Sequence, residues 1–112
     1  MDKIYDLIVL GAGPAGMTAA IYAARKELST LVISPEFGGM ANYGMNIENY
    51  LGLYYLSGPE LVQKFEEHIK QFPIDIQYTK ATSLKKEKDL FYIETGTGKP
   101  YVGKTVILAM GS

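Results

Sequence analysis

The stretch Ile4-Tyr5-Asp6-Leu7-Ile8-Val9-Leu10-Gly11-Ala12-Gly13-Pro14-Ala15-Gly16-Met17 decides the fold. An apolar run passes at once into glycines at 11, 13 and 16 and then into an alanine-rich segment. That order is the strand, tight turn and helix of a dinucleotide-binding unit. Gly11 lets the chain turn sharply out of the strand, Gly13 lets backbone approach a pyrophosphate, and Gly16 lets the helix pack closely on the sheet. Pro14 suits the first helical turn, where its missing N–H costs nothing. The free amides and the positive end of the helix dipole then face an anion.

Working outward, residues 4–10 read as one buried parallel strand, apolar almost throughout, with Asp6 near its entrance. Residues 14–26 read as a helix whose alanines at 15, 19, 20, 23 and 24 suit close packing on a sheet. Arg25 and Lys26 complement its dipole. Leu28 to Ser34 is a second strand, closing a β-α-β unit with an expected right-handed crossover. Such a site usually offers a carboxylate to the ribose hydroxyls just after this strand. Glu36, about 20 residues past Gly16, stands at the expected offset. The alternatives are a solvated surface glutamate, or a hydroxyl supplied by Ser34.

Residues 37–56 form a long Gly-, Asn- and Tyr-rich segment containing Gly38-Gly39, read as an ordered ligand-contacting loop. Tyr43, Tyr50, Tyr54 and Tyr55 either line a flat-ring site or pack the loop onto the domain. Ser57-Gly58-Pro59-Glu60 starts a second helix with Leu61, Val62, Phe65, Ile69 and Phe72 on one apolar stripe. His68 lies off the stripe and reads as a solvated surface histidine; Pro73 ends the helix. Ile74, Ile76 and Tyr78 alternate with polar residues as a strand. Residues 83–85, 90–95 and 101–102 then form an antiparallel meander with turns at 86–89 and 95–98. Lys80, Lys85, Lys86 and Lys88, balanced by Glu87 and Asp89, read as a charged edge. Residues 105–110 are expected as a final buried strand ending in Gly111-Ser112.

Composition narrows the function classes. Apolar residues are 47% of the 112 and charged residues 21%, ordinary for a globular domain. A net charge of −1 gives no electrostatic case for nucleic acid or a membrane surface, and no apolar run approaches a membrane span. The opening Met1-Asp2-Lys3 is unlike a signal peptide, so a cytoplasmic location is the default expectation. With no cysteine and one histidine there is no disulfide framework, thiolate or multi-histidine metal site, or dithiol pair. No side chain stands out as an acid, base or nucleophile, so any chemistry belongs to a cofactor. The fold class is α/β, a Rossmann-like arrangement of β-α-β, second helix, antiparallel meander and final parallel strand, expected to be incomplete because it stops at a strand end.

Taken together these pieces resemble a family. Gly11-Ala12-Gly13-Pro14-Ala15-Gly16 with Ala19-Ala20-Ile21-Tyr22-Ala23-Ala24-Arg25 resembles the FAD-binding start of low-molecular-weight thioredoxin reductases, FAD-dependent pyridine nucleotide-disulfide oxidoreductases. Gly38-Gly39-Met40, Ile47-Glu48-Asn49-Tyr50-Leu51-Gly52, Ser57-Gly58-Pro59-Glu60-Leu61 and Ile107-Leu108-Ala109-Met110-Gly111-Ser112 are similar to that family's motifs in order and spacing. The resemblance implies that residues 1–112 are the first segment of an FAD-binding domain. The FAD pyrophosphate would sit on Gly11, Ala12, Gly13, Pro14, Ala15 and Gly16, and its ribose near Ser34 and Glu36. The flavin end would lie near Gly38, Gly39, Met40 and Asn49, and the adenine against the backbone near Ala81. Ala109, Met110 and Gly111 would close over the phosphates. The resemblance also implies electron flow from NAD(P)H through FAD to a Cys-x-x-Cys pair serving a thioredoxin-like protein, in a homodimer, with pair and NAD(P)H domain beyond this segment. Ser34, Met40 and Met110 stand where the family often has an acid, Gln and Thr. Those departures leave room for a cysteine-free ferredoxin–NADP reductase of the same architecture, or for a reductase of another disulfide protein. A self-contained nucleotide-binding module and an NAD(H)-binding domain are the other readings.

Overall fold

In the computed structural model, which describes residues 3–37, 58–96 and 98–109, the opening stretch divides at Asp6. Ile4–Tyr5 forms β1 and Leu7–Ala12 forms β2, and the two belong to different sheets. The single strand expected over 4–10 is thus two strands, and the cause is hydrogen bonding at Asp6. The Ser29 N–H donates to Asp6 Oδ2 at 2.9 Å, while the Asp6 N–H donates to Ser29 Oγ at 2.9 Å and to Ser29 O at 3.0 Å. Lys104 Nζ lies 3.4 Å from Asp6 Oδ1, and the Thr105 hydroxyl donates to the Asp6 carbonyl at 2.6 Å. These partners precede β-strands on both sides, so Asp6 gathers their entrances into one latch.

The remaining elements are α1 (Pro14–Arg25), β3 (Thr30–Phe37), α2 (Gly58–Ile69), β4 (Ile74–Gln77), β5 (Ser83–Glu87), β6 (Leu90–Glu94), β7 (Tyr101–Gly103) and β8 (Val106–Leu108). The core sheet runs β4-β3-β2-β8, all parallel; the second runs β1-β7-β6-β5, with the expected meander antiparallel. Alternation along β2 and β3 sends residues to two separate cores. Leu7, Val9 and Val32 pack with Met17, Ala20, Ala23 and Ile69 of the helices. Ile8, Leu10, Leu31 and Ile33 pack with Tyr5 and Ile93 of the second sheet. Burial on both faces explains why these strands read as unbroken apolar runs. The two sheets touch closely: a Cβ on Gly103 would stand 2.8 Å from Ile8 Cδ1 and Cγ1.

Two further expectations change. Ile74–Gln77 joins the core, pairing parallel with β3 from Thr30↔Ile74 to Ile33↔Gln77. Helix α2 is therefore the crossover of a second β-α-β unit, and Tyr78 falls past the strand and is exposed. The last strand is not buried: Ile107 and Leu108 are 39% and 62% exposed, because β8 is the sheet's edge and pairs only with β2 among the described residues. Other expectations hold. Ile69 is fully buried, and His68 is exposed with its ring 5.7 Å from that of Phe72. Lys85 and Lys86 lie on β5, an exposed edge strand. Ser57, the four loop tyrosines at 43, 50, 54 and 55, and the side chains of Leu61, Val62 and Phe65 lie outside the described residues. Among the described residues no helix is long and apolar enough to cross a membrane.

The Asp6 carboxyl is held below the usual carboxylate range, first by the Ser29 backbone N–H and then by Lys104. A carboxyl with a depressed folded-state pKa stabilises the fold above its ordinary pKa, and that contribution is lost as acid protonates it. Asp6→Ala should therefore lower the urea midpoint at neutral pH, with a deficit that shrinks below about pH 4. Urea titrations of both proteins from neutral to acid pH check this. A deficit constant across that range would mean that the carboxylate charge contributes nothing.

Candidate functional site

The carboxyl ends of the core strands open into one cleft of about 570 Å³. Leu10, Gly11 and Ala12 line it from β2, Ile33, Ser34, Pro35 and Glu36 from β3, and Gly13, Pro14 and Ala15 from the start of α1. Lys80 and Ala81 enter from the segment after β4, and Ala109 from the end of β8. Strands flank β2 on both sides, so the cleft sits where the strand order reverses, the position at which open parallel sheets bind ligands.

The floor of the cleft is the turn from β2 into α1. Gly11 has φ +110°, a backbone conformation that side chains with a Cβ rarely adopt. At Gly16 a Cβ would collide with the Gly11 carbonyl oxygen and come within 3.3 Å of Ala109 Cβ. The missing side chain at Gly16 thus lets α1 sit against the turn, so that the helix start faces the opening. Ala109 is fixed on the other side by its N–H donating to the Leu10 carbonyl at 2.8 Å.

That helix start is open for an anion. Gly13 is an extended N-cap with no side-chain cap bond, and the first turn holds no acidic residue. Pro14 has no N–H, and the Met17 N–H donates to Gly13 O at 3.0 Å. The N–H groups of Ala15 and Gly16 therefore have no intrahelical acceptor. They point with the positive end of the helix dipole, the donor set a phosphate requires.

The β3 side is shaped by a bulge. Leu10 pairs with Ile33 but Ala12 pairs with Phe37, so Ser34-Pro35-Glu36 bows out opposite Gly11. Within the bow the buried Ser34 hydroxyl donates to the Glu36 carbonyl at 2.7 Å. The Ser34 proton is committed to holding this shape, which leaves its oxygen lone pairs for a ligand. Glu36 is exposed and presents the cleft's carboxylate.

Of the residues singled out from sequence, the cleft brings together Gly11, Ala12, Gly13, Pro14, Ala15, Ser34, Glu36, Ala81 and Ala109. Gly38, Gly39, Met40, Asn49, Met110 and Gly111 lie outside the described residues. Sequence reasoning passed over Leu10, Ile33 and Pro35, whose place at the ends of parallel strands was the available signal. It also assigned Lys80 to the charged edge, because the register that carries β4 into the core was not visible. Among the described residues no cluster of carboxylates and histidine could hold a metal.

The model of one family, described as pyridine nucleotide-disulphide oxidoreductase, matches residues 5–112. The chain belongs to this family. An NADH dehydrogenase of Bacillus subtilis is 41% identical over 96% of this chain and 21% of its own length. A solved thioredoxin reductase from Streptococcus pyogenes superposes with a TM-score of 0.92 at 39% identity, covering 99% of this chain and 36% of that one. A ferredoxin-flavin thioredoxin reductase from Clostridium acetobutylicum gives a TM-score of 0.85 at 35% identity, over 99% of this chain and 39% of that one. The chain thus spans between 21% and 39% of the length of these relatives.

The Gly16 contact gives a direct test of the floor. Gly16→Ala drives a methyl into backbone at Gly11 and should destabilise the fold by about 1–3 kcal/mol. Chemical denaturation reads the loss. A variant as stable as the parent would show that α1 does not pack on the turn in this way.

Proposed function

We propose that this chain forms the adenosine-diphosphate cradle for FAD in a flavoprotein oxidoreductase that passes electrons from NAD(P)H through FAD to a disulfide. The observation that carries the reading is the uncapped start of α1 opening into the same cleft as the Glu36 carboxylate. Two free N–H groups and a helix dipole suit a pyrophosphate, and a carboxylate one strand away suits the ribose hydroxyls.

In this reading Gly11 to Gly16 hold the pyrophosphate, chiefly through the N–H groups of Ala15 and Gly16. Glu36 accepts from the ribose diol, and Ser34 offers its remaining acceptor capacity. The N–H groups of Lys80 and Ala81 donate to no partner among the described residues, so the Ala81 backbone is available to an adenine edge. Ala109, Met110 and Gly111 close over the phosphates, and Gly38, Gly39, Met40 and Asn49 serve the flavin end. When bound, FAD supplies the hydride and electron transfer chemistry. The residues of this chain bind and orient it. The chain contains no cysteine, so the dithiol that meets a thioredoxin-like partner comes from outside these residues. NADP use, a homodimer and a cytoplasmic setting belong to the same proposal.

The named relatives support a cradle shared among flavoprotein oxidoreductases: one is named an NADH dehydrogenase, one a thioredoxin reductase and one a ferredoxin-flavin thioredoxin reductase. A competing NAD(H) reading rests on the Glu36 carboxylate, which suits an NAD ribose equally well. Both are tested together. Protein mixed with FAD and then desalted should retain flavin absorbance, and Glu36→Gln should weaken FAD binding about tenfold, the value of one charge-assisted hydrogen bond. Protein that stays colourless after added FAD overturns the reading. Thermal stabilisation by NADH and not by FAD transfers the site to NAD(H).

A further inference from the structure

Two charged side chains line the cleft, and the reading above uses only Glu36. The other is Lys80, on the connection from β4 to β5 at the carboxyl edge of the core sheet. Five other lysines have partners. Lys3 lies 3.3 Å from Asp75, Lys70 3.2 Å from Glu66, Lys85 3.8 Å from Glu87 and Lys104 3.4 Å from Asp6. The Lys86 ammonium sits 5.6 Å from the Phe91 ring centre. Among the described residues, Lys80 has no carboxylate partner and no ring beneath it, and Glu36 has no cation.

Opposite charges thus share one largely apolar cleft without neutralising each other. A carboxylate only accepts hydrogen bonds, and an ammonium only donates them. A ligand seated between them therefore needs hydroxyl donors toward Glu36 and acceptor atoms toward Lys80. A nucleoside diphosphate has both: a ribose diol that donates, and base nitrogens, ribose oxygens and phosphates that accept. We propose that Lys80 is a binding residue for the adenosine-diphosphate half of the dinucleotide, its ammonium donating to acceptor atoms of that half. The proposal rests on the FAD reading and adds a residue to it. Lys80 is exposed and, among the described residues, makes no hydrogen bond or ion pair, so substituting it should leave the fold intact.

The experiment measures FAD affinity by flavin fluorescence and ADP affinity by displacement of FAD, in the parent chain, Lys80→Ala and Lys80→Arg. Lys80→Ala should weaken FAD and ADP by the same factor, about fivefold, as one exposed charge contact allows. Lys80→Arg should restore both, and the loss should shrink as salt is raised. The urea midpoint of ligand-free Lys80→Ala should equal that of the parent, which separates lost contact from lost fold. Unchanged FAD affinity in Lys80→Ala overturns the proposal. Weakened FAD with unchanged ADP also overturns it, because the ammonium would then meet the flavin half. A parent chain that binds neither FAD nor ADP removes the FAD reading itself.

Discussion

Strand β2 is hydrogen-bonded on both edges and buried on both faces, and the rest of the molecule is arranged by that enclosure. Parallel pairing to β3 and β8 satisfies its backbone, while helix α1 covers one face and the second sheet the other. Ile8 and Val9, pointing in opposite directions, are both fully buried. A strand so enclosed can leave its sheet only at its end. It does so just past Gly11, whose φ of +110° begins the turn that leads through Ala12 and Gly13 into α1. The close approach of Gly16 to the Gly11 carbonyl then fixes the direction of the helix start. The anion-attracting end of α1 is therefore placed by packing behind it and needs no side chain in front.

The cleft combines few polar devices with a mostly apolar lining, as small-molecule sites generally do. Its β3 wall shows how much local chemistry a three-residue bow can hold. Pro35 offers no N–H to a ladder, and the Ser34 hydroxyl secures the Glu36 carbonyl, so the backbone there is settled without a strand partner. Glu36 is left as the exposed feature of the bow. A bulge in a parallel pair is uncommon, and its place opposite Gly11 sets it beside the helix start.

Much of this was legible in the residues alone. Ile8 and Val9, and likewise Leu31 and Val32, are apolar neighbours in sequence because both faces of their strands are covered, and that pattern identifies the core sheet. The glycine spacing and the offset of Glu36 locate the cleft. What stayed hidden depended on contacts far apart in sequence. Asp6 breaks a run that is apolar before and after it, and only Ser29, Lys104 and Thr105 reveal why. Ile74–Gln77 has the alternation of any half-buried strand, so its partner β3 could not be inferred. Ile107 and Leu108 look like core residues, yet their exposure follows from being on the edge strand.

The latch at Asp6 and the cleft at Gly11 occupy opposite ends of β2, a six-residue strand, roughly 20 Å long at the usual rise. Fastening lies at one end: Asp6 with Ser29, Lys104 and Thr105, and beside it the Tyr5 hydroxyl donating to Asp75 at 2.6 Å. The cleft lies at the other, lined by Glu36, Lys80 and the open start of α1. The side chains that hold the strands together are therefore not those that line the cleft. Such a division makes the domain evolvable: the carboxyl end can exchange charges, and so change what the cleft accepts, while the amino end keeps the sheets aligned.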